Sequence, residues 1–313
     1  MICRLLLIII ALIDGRPIMI TAIIKLMRPR QWTKNLIVFV AVIFSGRALV
    51  LADAFHAILG FIIFCFLSSS VYILNDVTDA PYDRRHPEKR NRPIAAGKVS
   101  RGAGAFLFMI FAAGSLAASF WFLGWKFGLC AVTYFVINVS YSFGVKRVVI
   151  LDSVTIALGF VLRAIAGIYA IVSQPGQLSE WLLICTFFLA LFLAFSKRRG
   201  EITDLSENAA DHRPILASYS PKLIDEMIGV TTASSVMSYS LYTIWPGTVA
   251  RLGTNKMIYT IPFVVYGIFR YLYLIYKKGQ GAQPSAILIT DRPLQVNILL
   301  YVAAVFIILY VVK

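Results

Sequence analysis

Charge is what this sequence has least of. Asp, Glu, Lys and Arg make up 14% of its 313 residues, while 59% are hydrophobic and the mean hydropathy is +0.79. A soluble domain carries about 25% charged residues, so a soluble globular protein is excluded and an integral membrane protein is indicated. Cysteine is scarce as well. Cys3, Cys65, Cys130 and Cys185 lie far apart in apolar runs, with no CxxC spacing and no adjacent histidine. That pattern excludes a disulfide framework and a thiolate metal site, and it leaves small packing residues. The three histidines, His56, His86 and His212, are isolated, so no histidine-based acid–base or nucleophilic constellation is available. No Pro- or Ser-rich linker interrupts the chain, which reads as one helical bundle without a clean internal repeat. Acidic residues number 15 against 30 Lys and Arg, a formal net charge of +15. Such an excess can mark a nucleic-acid binder, but no nucleic-acid-binding pattern accompanies it. Cationic loops are what a multi-spanning protein needs to fix its topology.

Apolar sequence is abundant. Nine segments are long enough, or nearly so, to cross a bilayer: 35–51, 53–74, 103–122, 126–144, 151–172, 181–196, 224–245, 257–276 and 294–311. The expected fold class is all-α, an integral membrane bundle of nine transmembrane helices. With the N-terminus in the cytoplasm, Lys and Arg favour the inner side by about four to one. Both long charged connections, 75–102 and 197–223, then face the cytoplasm. Residues 1–27 stand apart as an N-terminal extension or interfacial segment ahead of a catalytic domain spanning 28–313. Leu5 to Ile13 look like the apolar core of a signal peptide, but no small-residue cleavage site follows. The stretch is also too short for a span, which takes about 20 residues.

The densest charge lies in LNDVTDAPYDRRHPEKRNRP, Leu74 to Pro93. Asp76, Asp79 and Asp83 stand at i, i+3 and i+7, within one stripe of a helix, with Asn75 one turn before Asp79. Like charges stacked this way repel, so the helix gains nothing from them unless a cation sits among the carboxylates. Mg²⁺ suits such hard oxygen ligands, because one or two carboxylates plus substrate phosphates complete its shell. The alternative is an N-cap cluster or a solvated loop face. Cations follow at once, and Lys89, Arg90 and Arg92 are the candidates for substrate phosphates. Arg84, Arg85 and Lys98 are assigned to the membrane surface.

A second charged stretch, FSKRRGEITDL, runs from Phe195 to Leu205. Lys197 and Glu201 are i, i+4, and Glu201 and Asp204 are i, i+3, so an acidic edge borders a basic one. Lys34 and Asn35 are either phosphate ligands or interfacial anchors beside Trp32. Lys146, in YSFGVKR, is a further phosphate candidate. Arg163 and Asp152 lie in a membrane helix, where charge is costly and faces a partner or a cavity. Arg163 reads as structural, and Asp152 is open between the two.

The motif NDxxDxxxD, followed by HPEKRNRPIAAG from His86 to Gly97, resembles the UbiA superfamily of intramembrane prenyltransferases. MRPRQWTKN (27–35), SKRRGE (196–201) and ILITDRPL (287–294) resemble its decaprenyl-phosphate phosphoribosyltransferase branch. The resemblance runs from about Arg28 to the C-terminus. It implies nine membrane helices around a cytoplasm-facing cavity in the plasma (inner) membrane, and Mg²⁺-dependent chemistry on a diphosphate. In that branch the donor is phosphoribosyl pyrophosphate and the acceptor a polyprenyl phosphate. Asp76, Asp79, Asp83 and Glu201 would then be catalytic, and Asn75, Asp76, Asp79, Asp83 and Asp204 would hold metal. Lys34, Asn35, Lys89, Arg90, Arg92, Lys146, Lys197 and Arg198 would bind phosphates. The chain departs from ordinary aromatic prenyltransferases of the superfamily, which carry a second acidic DxxxD motif where this one has Lys197-Arg198-Arg199. A prenyltransferase acting on an aromatic acceptor and a membrane transporter are the competing readings.

Overall fold

The computed structural model describes residues 17–85, 89–171, 179–205, 214–279, 281 and 284–312. Every regular element among them is helical. Helix α1 (Pro17–Met27) leads into a 3-10 segment (Pro29–Ile37) and the short α2 (Val38–Phe44). There follow α3 (Leu51–Asp83), α4 (Arg101–Phe143), α5 (Leu151–Tyr169) and α6 (Glu180–Leu205). The C-terminal part comprises α7 (Pro221–Ile244), α8 (Pro246–Leu252), α9 (Ile261–Lys278), α10 (Pro284–Thr290) and α11 (Arg292–Phe306).

Among the described residues, six helices are long and apolar enough to cross a membrane: Leu51–Asp83, Arg101–Phe143, Leu151–Tyr169, Glu180–Thr203, Lys256–Lys278 and Arg292–Val311. Their outward faces carry exposed Phe55, Trp121, Trp125, Phe269 and Leu299, the apolar surface that lipid requires. The expected segments 103–122 and 126–144 are the two limbs of α4. A continuous helix of 43 residues would run about 65 Å, twice the hydrocarbon core. Gly124 breaks it with φ 81° and ψ 173°, a conformation essentially restricted to glycine. The limbs fold back on each other, and the Phe120 ring lies where a side chain on Gly128 would stand.

Two expected segments are not among these six. Segment 35–51 is 3-10 helix followed by only seven residues of α-helix. Segment 224–245 is α7, whose buried Thr231, Thr232, Ser235 and Ser238 donate to carbonyls three or four residues earlier in the helix.

Two apolar clusters build the interior. Val38, Phe64, Leu67, Phe127, Tyr134 and Ala166 join α2 to α5, and Phe192, Ile224, Ile228, Ile268, Tyr271 and Leu294 join α6, α7, α9 and α11. Helix α5 belongs to both and acts as the seam. At Gly167 its backbone meets that of α2 so closely that a Cβ would overlap the Val38 carbonyl oxygen. The TDRPL sequence is a helix start: Asp291 caps α11 through Leu294 N–H and accepts two bonds from Arg270 of α9.

Helices α3 and α6 both run past their apolar stretches. Thus Asp76–Asp83 and Lys197–Glu201, read at helical spacing within the two charged connections, lie on helix ends. On α6 the extension carries i, i+3 and i, i+4 pairs, Arg198–Glu201, Lys197–Glu201 and Arg199–Thr203, which favour helix.

Candidate active site

The C-terminal end of α3 presents its three aspartates to cations delivered by three different connections. Asp76, 2% exposed, accepts from Arg28 Nη2 at 2.6 Å and from Arg92 Nη1 at 3.2 Å, both on Oδ1. The same Arg92 nitrogen reaches Asp83 Oδ2 at 2.7 Å. Asp76 and Asp83 therefore converge on one guanidinium. Asp79 is more open and faces Lys146 Nζ at 3.6 Å. Asn75 is half-buried beside them, and its carbonyl accepts from Thr78 Oγ1. Among the described residues no three His, Cys, Asp or Glu side chains gather closely enough to hold a metal between them. The structure thus brings two of the three aspartates together and turns the third toward Lys146.

Arg28 meets Asp76 from 48 positions away, a pairing that no local spacing in the sequence marks. It adopts a left-handed backbone, φ 53° and ψ 61°, unusual for a residue with a side chain. Its guanidinium lies over the Tyr72 ring, 5.0 Å from the centroid. Its place at the head of MRPRQWTKN was the available signal. Two other residues of that motif also grip α3. Trp32 Nε1 donates to Ser69 Oγ, and the buried Asn35 amide donates to Ser68 Oγ and Cys65 Sγ. Asn35 Oδ1 in turn accepts from Arg163 Nε at 2.7 Å. Arg163 also donates to Tyr134 OH and the Gly159 carbonyl, a satisfied buried cation that ties α5 to α4 and the 3-10 segment. Asn35 is thereby placed in the scaffold, its amide spent on protein partners.

Lys34 stands next to it on the same 3-10 turn. Burial, with the Arg163 and Arg28 charges adding, brings its ammonium down to about 8. Lys89 is half-buried and Arg90 exposed on the short 3-10 turn after α3.

The basic triplet of α6 is divided by helix geometry, since consecutive side chains project about 100° apart. Lys197 points outward and meets Glu201 at 3.6 Å. Arg199 turns to α7, where its Nε donates to Asp225 Oδ1, and its guanidinium lies over Tyr276. Arg198 turns inward and is 1% exposed. Its Nε donates to Asp152 Oδ2 at 2.8 Å and its Nη1 to Glu201 Oε2 at 2.6 Å. Asp152 Oδ1 accepts from Tyr219 OH, which itself accepts the Ile150 N–H. Burial raises the Tyr219 hydroxyl to about 12, with Asp152 contributing. Within this network Asp152 is fully buried, its carboxylate bonded by Arg198 and Tyr219. The same network corrects the view of Arg198 as a phosphate ligand, because its charge is buried and matched from within the protein. The side chains of Asp204, His86 and His212 lie outside the described residues.

The assembled features are one polar end on an apolar bundle, acidic along α3 and ringed by Arg28, Lys34, Arg92 and Lys146. Together they define a multi-pass membrane protein with cations set against carboxylates at one end of its bundle. The sequence profile of the UbiA prenyltransferase family matches residues 35–291, and the chain belongs to that family.

A protein of Mycolicibacterium smegmatis named decaprenyl-phosphate phosphoribosyltransferase is 32% identical over 298 residues, covering 92% of both chains. Its namesake in Corynebacterium glutamicum is 32% identical over 92% of this chain and 86% of its own. Among solved structures, a UbiA homolog from Archaeoglobus fulgidus bound to GPP and Mg²⁺ superposes with a TM-score of 0.70 at 22% identity. That match covers 93% of this chain and all of the other. This likeness shows the fold.

Proposed function

We propose that the protein transfers 5-phosphoribose from phosphoribosyl pyrophosphate to a decaprenyl-type polyprenyl phosphate, releasing pyrophosphate. The observation that carries this reading is the likeness, over 92% of the chain, to bacterial proteins named for that activity. The shortage of acids in the second charged stretch supports it, because donor and acceptor are both anions.

Mg²⁺ fits the residues present. A cationic nitrogen already lies between Asp76 Oδ1 and Asp83 Oδ2, at 3.2 and 2.7 Å, and two carboxylates suffice when phosphates complete the shell. Asp76 and Asp83 would hold it, with Asp79 and Asn75 beside them on α3 and Asp204 on the second acidic edge. When bound, Mg²⁺ supplies charge neutralisation for the leaving pyrophosphate. Arg28, Arg92, Lys146 and Lys34, with the Lys89–Arg90 turn, bind the phosphates of the donor. Glu201 holds Lys197 toward the acceptor phosphate. As the bond from C1 to pyrophosphate breaks, an oxygen of the lipid phosphate bonds to C1. That oxygen is already ionised at neutral pH, so no side chain needs to act as general base.

Nine crossings follow if residues 35–51, the two limbs of α4 and α7 each traverse the bilayer. The N-terminus and the site then face the cytoplasm of the plasma (inner) membrane. The product would feed synthesis of a lipid-linked arabinose donor for cell-wall polymers.

The second reading is prenyl transfer from a prenyl diphosphate to an aromatic acceptor, favoured by fold neighbours solved with GPP or DMAPP and Mg²⁺. One assay separates the two. Purified protein receives labelled phosphoribosyl pyrophosphate, Mg²⁺ and decaprenyl phosphate, and label is expected in the lipid phase. No lipid label, together with reaction of a prenyl diphosphate and an aromatic acid, overturns the first reading.

A further inference from the structure

The α3 end is charge-matched before any ligand arrives. Asp76, Asp79 and Asp83 face Arg28, Arg92 and Lys146, three carboxylates and three cations. Arg28 and Arg92 both reach the same oxygen of Asp76, and Arg92 also bridges to Asp83. Their side chains are 28% exposed, whereas those of Asp76 and Asp83 are 2% and 6% exposed, so the arginines sit on the open side of the acids and can leave. Arg28 also reaches Asp76 from a left-handed backbone conformation, φ 53°, which is costly for a residue with a side chain.

From this geometry we infer that Arg28 and Arg92 are exchangeable counter-ions. They occupy the carboxylates of Asp76 and Asp83 while no metal is bound, and they pass to the donor's phosphates when a divalent cation takes those carboxylates. The inference rests on the metal–diphosphate reading above and adds to it that metal and diphosphate bind as a coupled pair.

The charge balance gives the reason. A divalent cation alone would add two positive charges to a neutral set and displace two guanidiniums into the same small space. A diphosphate alone would meet three carboxylates. The metal–diphosphate complex satisfies both sides at once, giving the carboxylates a metal and the released guanidiniums phosphate oxygens. The site therefore takes metal and diphosphate together and binds either one poorly. Arg28 becomes a positioning residue for the donor.

The test measures Mn²⁺ binding to the full-length protein in detergent, by electron paramagnetic resonance, with and without inorganic pyrophosphate. In the wild type, pyrophosphate should tighten Mn²⁺ by about tenfold or more, the scale of charge-assisted contacts. In Arg92→Gln and Arg28→Gln, Mn²⁺ alone should bind about tenfold tighter and the pyrophosphate effect should shrink. Arg28 is held by one carboxylate bond, so its variant serves if Arg92→Gln does not fold. Arg92→Lys keeps the charge and should bind Mn²⁺ alone as the wild type does; a gain equal to that of Arg92→Gln overturns charge competition.

Two further results overturn the inference and are distinguishable. If Asp76→Asn loses Mn²⁺ but neither glutamine variant gains it, the exchange is wrong and the metal site stands. If Asp76→Asn and Asp83→Asn both leave Mn²⁺ binding unchanged, the metal reading fails and the exchange fails with it.

Discussion

Replacing Arg198 by leucine should unfold this protein far more readily than any change at its neighbour Lys197. Arg198 and Asp152 are both essentially without solvent exposure, and their ion pair at 2.8 Å joins α6 to α5. Arg198→Leu removes the guanidinium that lies 2.8 Å from Asp152 Oδ2. Stranding one member of a buried pair costs about 3–5 kcal/mol. Glu201, 20% exposed, can turn to water, so its share of the loss is smaller. Replacing both partners, Asp152→Leu with Arg198→Met, removes the buried charge and should recover most of the loss. Lys197 is 44% exposed, and Lys197→Ala should change stability by less than about 1 kcal/mol. Denaturant unfolding in detergent, followed by circular dichroism, gives the stabilities of the wild type and of these three variants. Phosphoribosyl pyrophosphate binding is measured in parallel. If Arg198→Leu changes stability by less than about 1 kcal/mol yet abolishes donor binding, the reasoning fails and Arg198 is a substrate ligand after all.

Gly167→Ala must separate α2 from α5, because its Cβ would overlap a backbone carbonyl rather than a movable side chain; loss of monodisperse protein in detergent is expected, and a normal elution profile would contradict the close approach. Gly124→Ala should cost about 1–3 kcal/mol through its positive φ, read as a fall in unfolding midpoint. The Lys34 ammonium, brought from 10.5 down to about 8 by burial, is fully charged only below about pH 7. Its lowered pKa opposes folding below about 8, and that cost fades as pH rises toward 10.5. A bound phosphate reverses the shift, so pyrophosphate binding at pH 8.5 should take up a proton fraction that Lys34→Met lacks, measured calorimetrically in two buffers of different ionisation enthalpy. Equal proton uptake in both proteins refutes the role. Asp76→Asn and Asp79→Asn should each abolish lipid labelling in folded protein. Asp79→Asn should leave stability within about 1 kcal/mol of the wild type, since its pair with Lys146 is long and open to water.

The apolar runs determined the fold class, because about 20 hydrophobic residues in a row have few places to go but a bilayer. Composition and loop charge likewise determined which end of the bundle carries the polar chemistry. The acidic stripe of α3 was legible for a local reason: the spacing of Asp76, Asp79 and Asp83 fixes their projection on any helix that contains them. Even the break in α4 was foreshadowed, as two runs flanking Gly124 and Trp125.

What the sequence left open was the identity of every partner on another helix or connection. Arg28 meets Asp76 across 48 positions, Arg198 meets Asp152 across 46, and Arg163 meets Asn35 across 128. No periodicity carries such information, since it describes one helix and these pairs depend on how several helices pack. For that reason Lys197-Arg198-Arg199 read as a single basic cluster, while packing sent one cation outward, one inward and one sideways. The sequence by itself determined a membrane bundle with an acidic helix end and abundant cations. Only the tertiary structure decided which of those cations are locked into the scaffold and which, like Arg28 and Arg92, stand at the open side of the acids.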